Sequence, residues 1–165
     1  MKGIAKVCVL GDPAVGKTSL IRRAVINVFE EEYISTIGTN IYEKKVSLPE
    51  FELSLVIWDI AGQPTFKNLS EDYVKGALGA FVVCDLTRLQ TIEHLSNWIA
   101  LIQKEGSEFI ILGNKYDLVE DYQNIRVAED ISSSYNVPYI TTSAKTGENV
   151  EKAIVTLAKK IYERM

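Results

Sequence analysis

A chain of 165 residues, 47% hydrophobic and 24% charged, is long enough to bury one substantial core and has the composition of an ordinary globular protein. Its 22 acidic and 18 basic residues are interspersed, so the net charge of -4 excludes the concentrated basic face that non-specific nucleic-acid binding requires. No apolar run approaches the roughly 18 residues of a membrane span, and Met1-Lys2-Gly3-Ile4 enters a strand-like segment without the layout of a secretory signal, so a cytoplasmic chain forming one domain over residues 1–165 is expected.

Taken in chain order, Ala5 to Leu10 is a short apolar run of the kind buried on both faces of a parallel sheet. The stretch GDPAVGKTSL, Gly11 to Leu20, follows it and opens a helix that includes Leu20, Ile21 and Ala24. Between Ile41 and Trp58 two strand-like runs are joined through Ser47-Leu48-Pro49-Glu50, which reads as an antiparallel hairpin. Leu78 to Asp85, Phe109 to Asn114 and Val137 to Thr141 are three further apolar strands. Thr91 to Lys104 places Ile92, Leu95, Ile99 and Ile102 on one helical stripe, and Glu151 to Ile161 does the same with Ile154, Leu157, Ala158 and Ile161. This alternation predicts a doubly wound α/β fold: a mostly parallel six-stranded sheet with one antiparallel hairpin strand and helices on both faces. Cys8 and Cys84 lie inside strand patterns and read as small buried hydrophobes in a reducing compartment, without a disulfide or metal. His94 lies among polar neighbours and reads as a surface residue.

Gly11, Gly16, Lys17 and Thr18 occupy the fixed places of the pattern Gly, any four residues, Gly-Lys-[Ser/Thr]. A chance match in a chain of this length is about one in a few hundred. Its position between a strand and a helix is where a phosphate meets a helix N-terminus. The residue types suit that use: Gly16 lets the backbone approach the phosphates, Lys17 neutralises charge and the Thr18 hydroxyl reaches Mg²⁺. Pro13, Ala14, Val15, Gly16, Lys17, Thr18 and Ser19 are therefore the candidate cradle. Asp12 and Pro13 are its odd members, since Pro13 offers no N–H and adds bulk beside the expected γ-phosphate.

Asn114-Lys115-Tyr116-Asp117 ends a strand at the same carboxyl edge of the sheet. A carboxylate at Asp117 accepts from the ring N–H and exocyclic amine that guanine presents together, whereas adenine offers an acceptor in place of the ring donor. At roughly 1.5–3 kcal/mol per hydrogen bond to a charged group, that difference selects guanine. Leu118 follows this motif directly, and the run Thr142-Ser143-Ala144-Lys145 comes just beyond the strand Val137 to Thr141, in fixed order after the phosphate loop.

With these motifs in this order, the sequence resembles the small GTPases of the Ras superfamily, and within them the Rab-like branch. The resemblance runs over essentially the whole chain: Gly11 to Thr18, Tyr33-Ile34-Ser35-Thr36-Ile37-Gly38, Trp58-Asp59-Ile60-Ala61-Gly62-Gln63, Asn114 to Asp117, and Ser143 to Lys145. It implies the small G-protein fold and a GTP-dependent switch that hydrolyses GTP slowly. It further implies that Thr18, Thr36 and Asp59 hold Mg²⁺, that Gly62 donates its N–H to the γ-phosphate, and that Gln63, with Lys17 and Thr36, serves hydrolysis. Phe29 matches the aromatic on the guanine ring, Ala144 the backbone donor to the guanine carbonyl, and Lys115 and Lys145 the walls of the base pocket. Effector proteins, an exchange factor and an activating protein are implied as partners.

Several positions depart from the pattern. Ile41 stands where Rab-type proteins carry Phe, while Trp58 and Tyr73 match the other two aromatics of their effector-facing cluster, and Pro64-Thr65 follow Gln63 in place of an acidic and a basic residue. No arginine is placed as a built-in finger: Arg22 and Arg23 belong to the helix after the phosphate loop, and Arg88 is expected on the far side of the motifs. The sequence as given ends at Tyr162-Glu163-Arg164-Met165 without the prenylated cysteines of the lipid-anchored members, which leaves a trimmed tail or a chain without that anchor. Two other classes stay open at this point: a GTP-binding interaction module with negligible hydrolysis, suggested by Pro13 and Pro64, and a phosphate-loop ATPase or kinase.

Overall fold

The computed structural model describes residues 2–25, 33–34, 39–60 and 71–165. Its centre is β1 (Lys2–Gly11), whose apolar residues from Val7 to Leu10 are buried on both sides as the unbroken run requires. β1 pairs in parallel with β4 (Phe51–Ile60) on one side and with β5 (Gly79–Asp85) on the other. β6 (Glu108–Asn114) and β7 (Tyr139–Thr141) extend the sheet in parallel beyond β5. On the opposite edge β3 (Thr39–Leu48) runs antiparallel to β4, the two joined by Pro49-Glu50, where the fixed φ of proline suits a tight turn. These are the six strands expected, and β3 alone runs against the rest. A two-residue strand, β2 (Tyr33–Ile34), adds to the outer edge by pairing antiparallel with β3, giving the order β2-β3-β4-β1-β5-β6-β7.

Helices cover both faces. α1 (Lys17–Val25) and α6 (Val150–Arg164) lie on one face, where Leu20, Ile21, Ile154, Leu157 and Ile161 meet Val7, Val9 and Ile57. On the other face Cys8, Leu10 and Val82 are covered from α2 (Glu71–Val74), α3 (Leu89–Glu93), α4 (Leu95–Gln103) and α5 (Gln123–Tyr135). The stripe of Ile92, Leu95, Ile99 and Ile102 is buried as predicted, but the helix that carries it is divided at His94, whose N–H is 3.1 Å from Gln90 O and whose carbonyl accepts from Asn97 in a tighter i+3 turn. α6 runs beyond its predicted ends, and Tyr162 in its last turn stacks on Phe51 at 4.1 Å. α5 has no counterpart among the predicted elements: Ile125, Ala128, Ile131 and Tyr135 keep a helical spacing, but Ser132-Ser133-Ser134 lower the helical propensity of its last turns. Among the described residues no helix is long and apolar enough to cross a membrane.

Both cysteines are free and buried, as expected, and burial pushes each thiol up to about 12. Parallel pairing around β1 sets Gly11 opposite Val83, Asp85 opposite Asn114 and Gly113 opposite Thr141, so the chain leaves five strands at one edge with all their chemistry-bearing residues together. Leu157 is fully buried between α6 and the sheet, so Leu157→Ala should cost about 2–5 kcal/mol, read as a lower urea midpoint with an unchanged denaturant slope.

Candidate functional site

The loop between β1 and α1 is held from outside through its carbonyls. Lys17 Nζ donates to Gly11 O at 2.8 Å and to Asp12 O at 2.9 Å. Arg88 Nη2 donates to Pro13 O at 2.9 Å, Lys115 Nζ to Ala14 O at 2.9 Å, and Asn114 Nδ2 to Val15 O at 2.9 Å. Gly16 O accepts the first helical bond, from Leu20 N at 2.9 Å. With every carbonyl from Gly11 to Val15 turned onto a side-chain donor, the opposite edge of the ribbon is left to its amides and to the N-terminus of α1, whose first turn has no acidic residue. Pro13, Ala14 and Ser19 are exposed along this loop and Val15 is buried beneath it.

Backbone geometry explains the two glycines. Gly16 has φ +99°, and a Cβ there would come within 2.3 Å of Asn114 Nδ2, the donor to Val15 O. At Gly11 a Cβ would sit 2.4 Å from Val83 O on the neighbouring strand. Ala14 also takes a left-handed conformation, φ +64°, with a side chain no larger than a methyl.

Asp12 is explained as well. Trp98 Nε1 donates to Asp12 Oδ1 at 2.8 Å, and His94 Nδ1 lies 2.6 Å from Oδ2, so the carboxylate ties the loop to α4 and to the helix junction before it. His94 is thus a contact of the loop rather than a plain surface residue. The expectation for Arg88 is corrected too: it lies against the loop, not on the far side of the motifs. β5 adjoins β1, so the turn after β5 returns over Pro13. Neither His94, Trp98 nor Arg88 carries a recognisable motif; their signal is only that they follow the carboxyl end of a strand next to β1.

Thr18 and Asp59 meet beside the loop. Thr18 Oγ1 donates to Asp59 Oδ2 at 2.5 Å, while Asp59 Oδ1 is buried with no hydrogen-bond partner among the described residues. Burial pushes the Asp59 carboxyl above its usual range, and the Thr18 hydroxyl, Lys17 and Arg22 only partly oppose this. A hydroxyl and a carboxylate with an unsatisfied oxygen are hard donors of the kind Mg²⁺ takes when substrate phosphates supply the rest of its shell, so these residues fit that ion. Burial also holds the Lys17 ammonium below its usual range, with Asp59 and Asp12 opposing and Arg88 adding to the effect.

Two strands further along, Asn114 Oδ1 accepts from Thr142 Oγ1 at 3.1 Å, and Thr142 N donates to Gly113 O at 2.8 Å. Lys115 adopts a left-handed backbone, φ +65°, that turns the chain sharply into Tyr116-Asp117-Leu118. Asp117 is exposed, and its Oδ1 accepts from Ser143 Oγ at 2.7 Å, which orients the carboxylate and leaves its second oxygen for a ligand. Leu118 is 56% exposed and Lys145 is exposed, while Ala144 is half-buried next to Ser143. The structure therefore brings the loop, Asp59, Asn114 to Leu118 and Ser143 to Lys145 to one edge. Phe29, Thr36, Gly62 and Gln63 lie outside the described residues. Away from this edge Ile41 pairs with Trp58 across β3 and β4, and Trp58 meets Tyr73 edge-on at 6.2 Å, with the Tyr73 hydroxyl donating to Trp58 O.

A doubly wound sheet with a Gly-Lys-Thr loop at the carboxyl end of its central strand defines the phosphate-loop class of nucleotide-binding α/β proteins. Residues 6–163 match the family described as Ras family. The chain is 36% identical to Ras-related protein Rab-27B of Bos taurus, over 98% of this chain and 81% of that protein. It is 35% identical to GTP-binding protein ypt1 of Schizosaccharomyces pombe, over 97% and 81%, and 37% identical to Ras-related protein Rab-8 of Diplobatis ommata, over 97% and 78%. The chain belongs to the Ras family: it is a Rab-like small GTPase, a guanine-nucleotide switch and GTP hydrolase.

Gly16→Ala should combine left-handed strain of about 1–2 kcal/mol with the loss of the Asn114 to Val15 bond. The expected outcome is a lower Tm together with loss of nucleotide binding by calorimetry. For Asp59 the sign follows from the raised folded-state value: charging it costs stability at neutral pH, and that cost is relieved as pH falls through the raised value. Asp59→Asn should therefore raise the Tm of the nucleotide-free protein at pH 7 and reduce the rise that wild type shows on acidification through that range.

Proposed function

We propose that residues 1–165 form a single guanine-nucleotide-binding domain in which the loop Pro13 to Ser19 holds the phosphates and Asn114, Lys115, Asp117, Leu118, Ser143, Ala144 and Lys145 hold the base. The observation that carries this is the outward pairing of the five loop carbonyls, which leaves a curved row of amides beside Lys17 and the start of α1. Ser143 holds Asp117 so that guanine's paired donors meet a fixed acceptor, and Phe29 packs on the ring.

Thr18 would coordinate the metal, joined by Thr36 when a γ-phosphate is present, and Asp59 would hold it through a water. These residues would hold Mg²⁺, which would supply neutralisation of the phosphate charge. In hydrolysis Gln63 orients the water for in-line attack on the γ-phosphorus, while Lys17, the Gly62 N–H and the loop amides stabilise the charge that develops. Asn114 also fixes the loop through Val15 O, and Ser19 continues the first turn of α1. Pro13 supplies no amide, so the loop apex has one donor fewer than it has residues.

The GTP-bound form engages effector proteins in the cytoplasm, with an exchange factor and a GTPase-activating protein as its regulators. The face that carries Ile41, Trp58 and Tyr73 supports that reading, with Lys6 Nζ 4.1 Å above the Trp58 ring adding a cation beside the aromatic pair. Loss of the γ-phosphate removes the ligand of Thr36 and Gly62, and a change in the two segments that carry them is the signal.

Single-turnover phosphate release from GTP-loaded protein in Mg²⁺ tests the assignment. Wild type should release phosphate slowly, Gln63→Leu should abolish the release while retaining tight GTP binding, and ATP should neither bind nor be turned over. Equal release by wild type and Gln63→Leu would remove Gln63 from the mechanism, and equal use of ATP would remove Asp117 from base selection.

A further inference from the structure

Asp85 ends β5 and is almost wholly buried, at 1% exposure, yet it belongs to none of the motifs that define the nucleotide site. Its Oδ1 accepts from Thr87 N at 2.8 Å and Thr87 Oγ1 at 2.6 Å. Its Oδ2 faces two cations at once, Arg88 Nε at 3.0 Å and Lys115 Nζ at 3.0 Å. Each of those cations then reaches one residue of the phosphate-loop apex: Arg88 to Pro13 O and Lys115 to Ala14 O, both at 2.9 Å.

A guanidinium and an ammonium sharing one carboxylate oxygen would repel each other if the carboxylate were absent, and a buried carboxylate is tolerated only when paired and hydrogen-bonded. Asp85 meets that condition with four donors. Burial pushes its carboxyl up, but the bonds from Thr87, Lys115 and Arg88 outweigh this and hold it below the usual range. The turn that carries it is fixed independently. Thr91 Oγ1 lies 3.1 Å from Asp85 O and 2.8 Å from Arg88 O, and Asn124 Nδ2 donates to Leu86 O at 2.9 Å.

We propose that Asp85 is a positioning residue for nucleotide binding: through Arg88 and Lys115 it locks the apex of the phosphate loop to the base-recognition segment, so that both ends of the nucleotide are held against one buried carboxylate. Arg88 acts as a strut under Pro13 in this arrangement. Its Nε and Nη2 are both engaged, so it is the second arm of the clamp and not a finger aimed at the phosphates. The inference rests on the reading of this edge as a guanine-nucleotide site.

The two arms make separable demands. Arg88 reaches only the loop, whose apex serves the outer phosphates, whereas Lys115 also belongs to the base pocket. Wild type, Asp85→Asn and Arg88→Gln are loaded with a fluorescent GDP, and its release into excess unlabelled GDP is followed in Mg²⁺. Affinities for GDP and GMP and the Tm of the nucleotide-free proteins are measured alongside.

Asp85→Asn should release GDP at least about tenfold faster, the scale of one charge-assisted hydrogen bond, and should weaken GMP as well as GDP. Arg88→Gln should speed GDP release by a smaller factor and leave GMP affinity at the wild-type value. GDP release from Asp85→Asn at the wild-type rate would overturn the proposal, as would a loss in Arg88→Gln that is equal for GDP and GMP. The half-exposed Arg88 tests the loop arm even where Asp85→Asn does not fold. Failure of wild type to retain GDP is a different result, since it would overturn the nucleotide reading itself.

Discussion

A phosphate loop can hold anions only if its carbonyl oxygens face elsewhere, and in this protein that constraint is met by the loop's own Lys17 and by side chains from two other parts of the chain. Lys17 turns back onto Gly11 and Asp12, Arg88 reaches in from the turn after β5, and Lys115 and Asn114 reach in from the end of β6. None of these donors is close enough in sequence to be set by the loop itself except Lys17. The register of β1, β5 and β6 is what delivers the others, so the sheet's order is part of the binding chemistry.

The same edge keeps opposite charges close without letting them cancel fully. Burial holds Lys17 below its usual range and Asp59 above it, so each would gain from a counter-charge, which under the proposed reading is phosphate for the first and a metal ion for the second. Asp12, bound by Trp98 and His94, ties this edge to the helices on the second face of the sheet.

Much of this was legible in the residues. The unbroken apolar runs located four of the strands, β1, β5, β6 and β7, and the two strand-like runs joined through Pro49-Glu50 located β3 and β4. Motif spacing found Gly16, Lys17, Thr18, Asn114 and Asp117 because each must occupy a fixed place in a short local geometry. What escaped were groups whose role depends on strand order. Arg88 reads as lying on the far side of the motifs because its sequence distance from Pro13, 75 positions, says nothing about β5 lying against β1. Asp85 reads only as a polar end to an apolar strand, and α5 was hidden by serines that propensity assigns as readily to a loop. Trp98 is buried in α4, and nothing in its sequence neighbourhood places its N–H on Asp12, because that contact depends on α4 lying beside the loop.

Cys8 and Cys84 lie on the two adjacent strands at the centre of the sheet, fully buried, and they are the only two cysteines in the sequence. With their thiols at about 12, almost no thiolate exists at neutral pH, and alkylating reagents have no path to the sulfur while β1 and β5 stay covered. Modification of either thiol therefore requires the middle of the protein to open. The rate of that reaction is an internal gauge of how often the sheet comes apart, readable without an engineered label, and a cysteine introduced on the surface would be the sole accessible thiol for a dye.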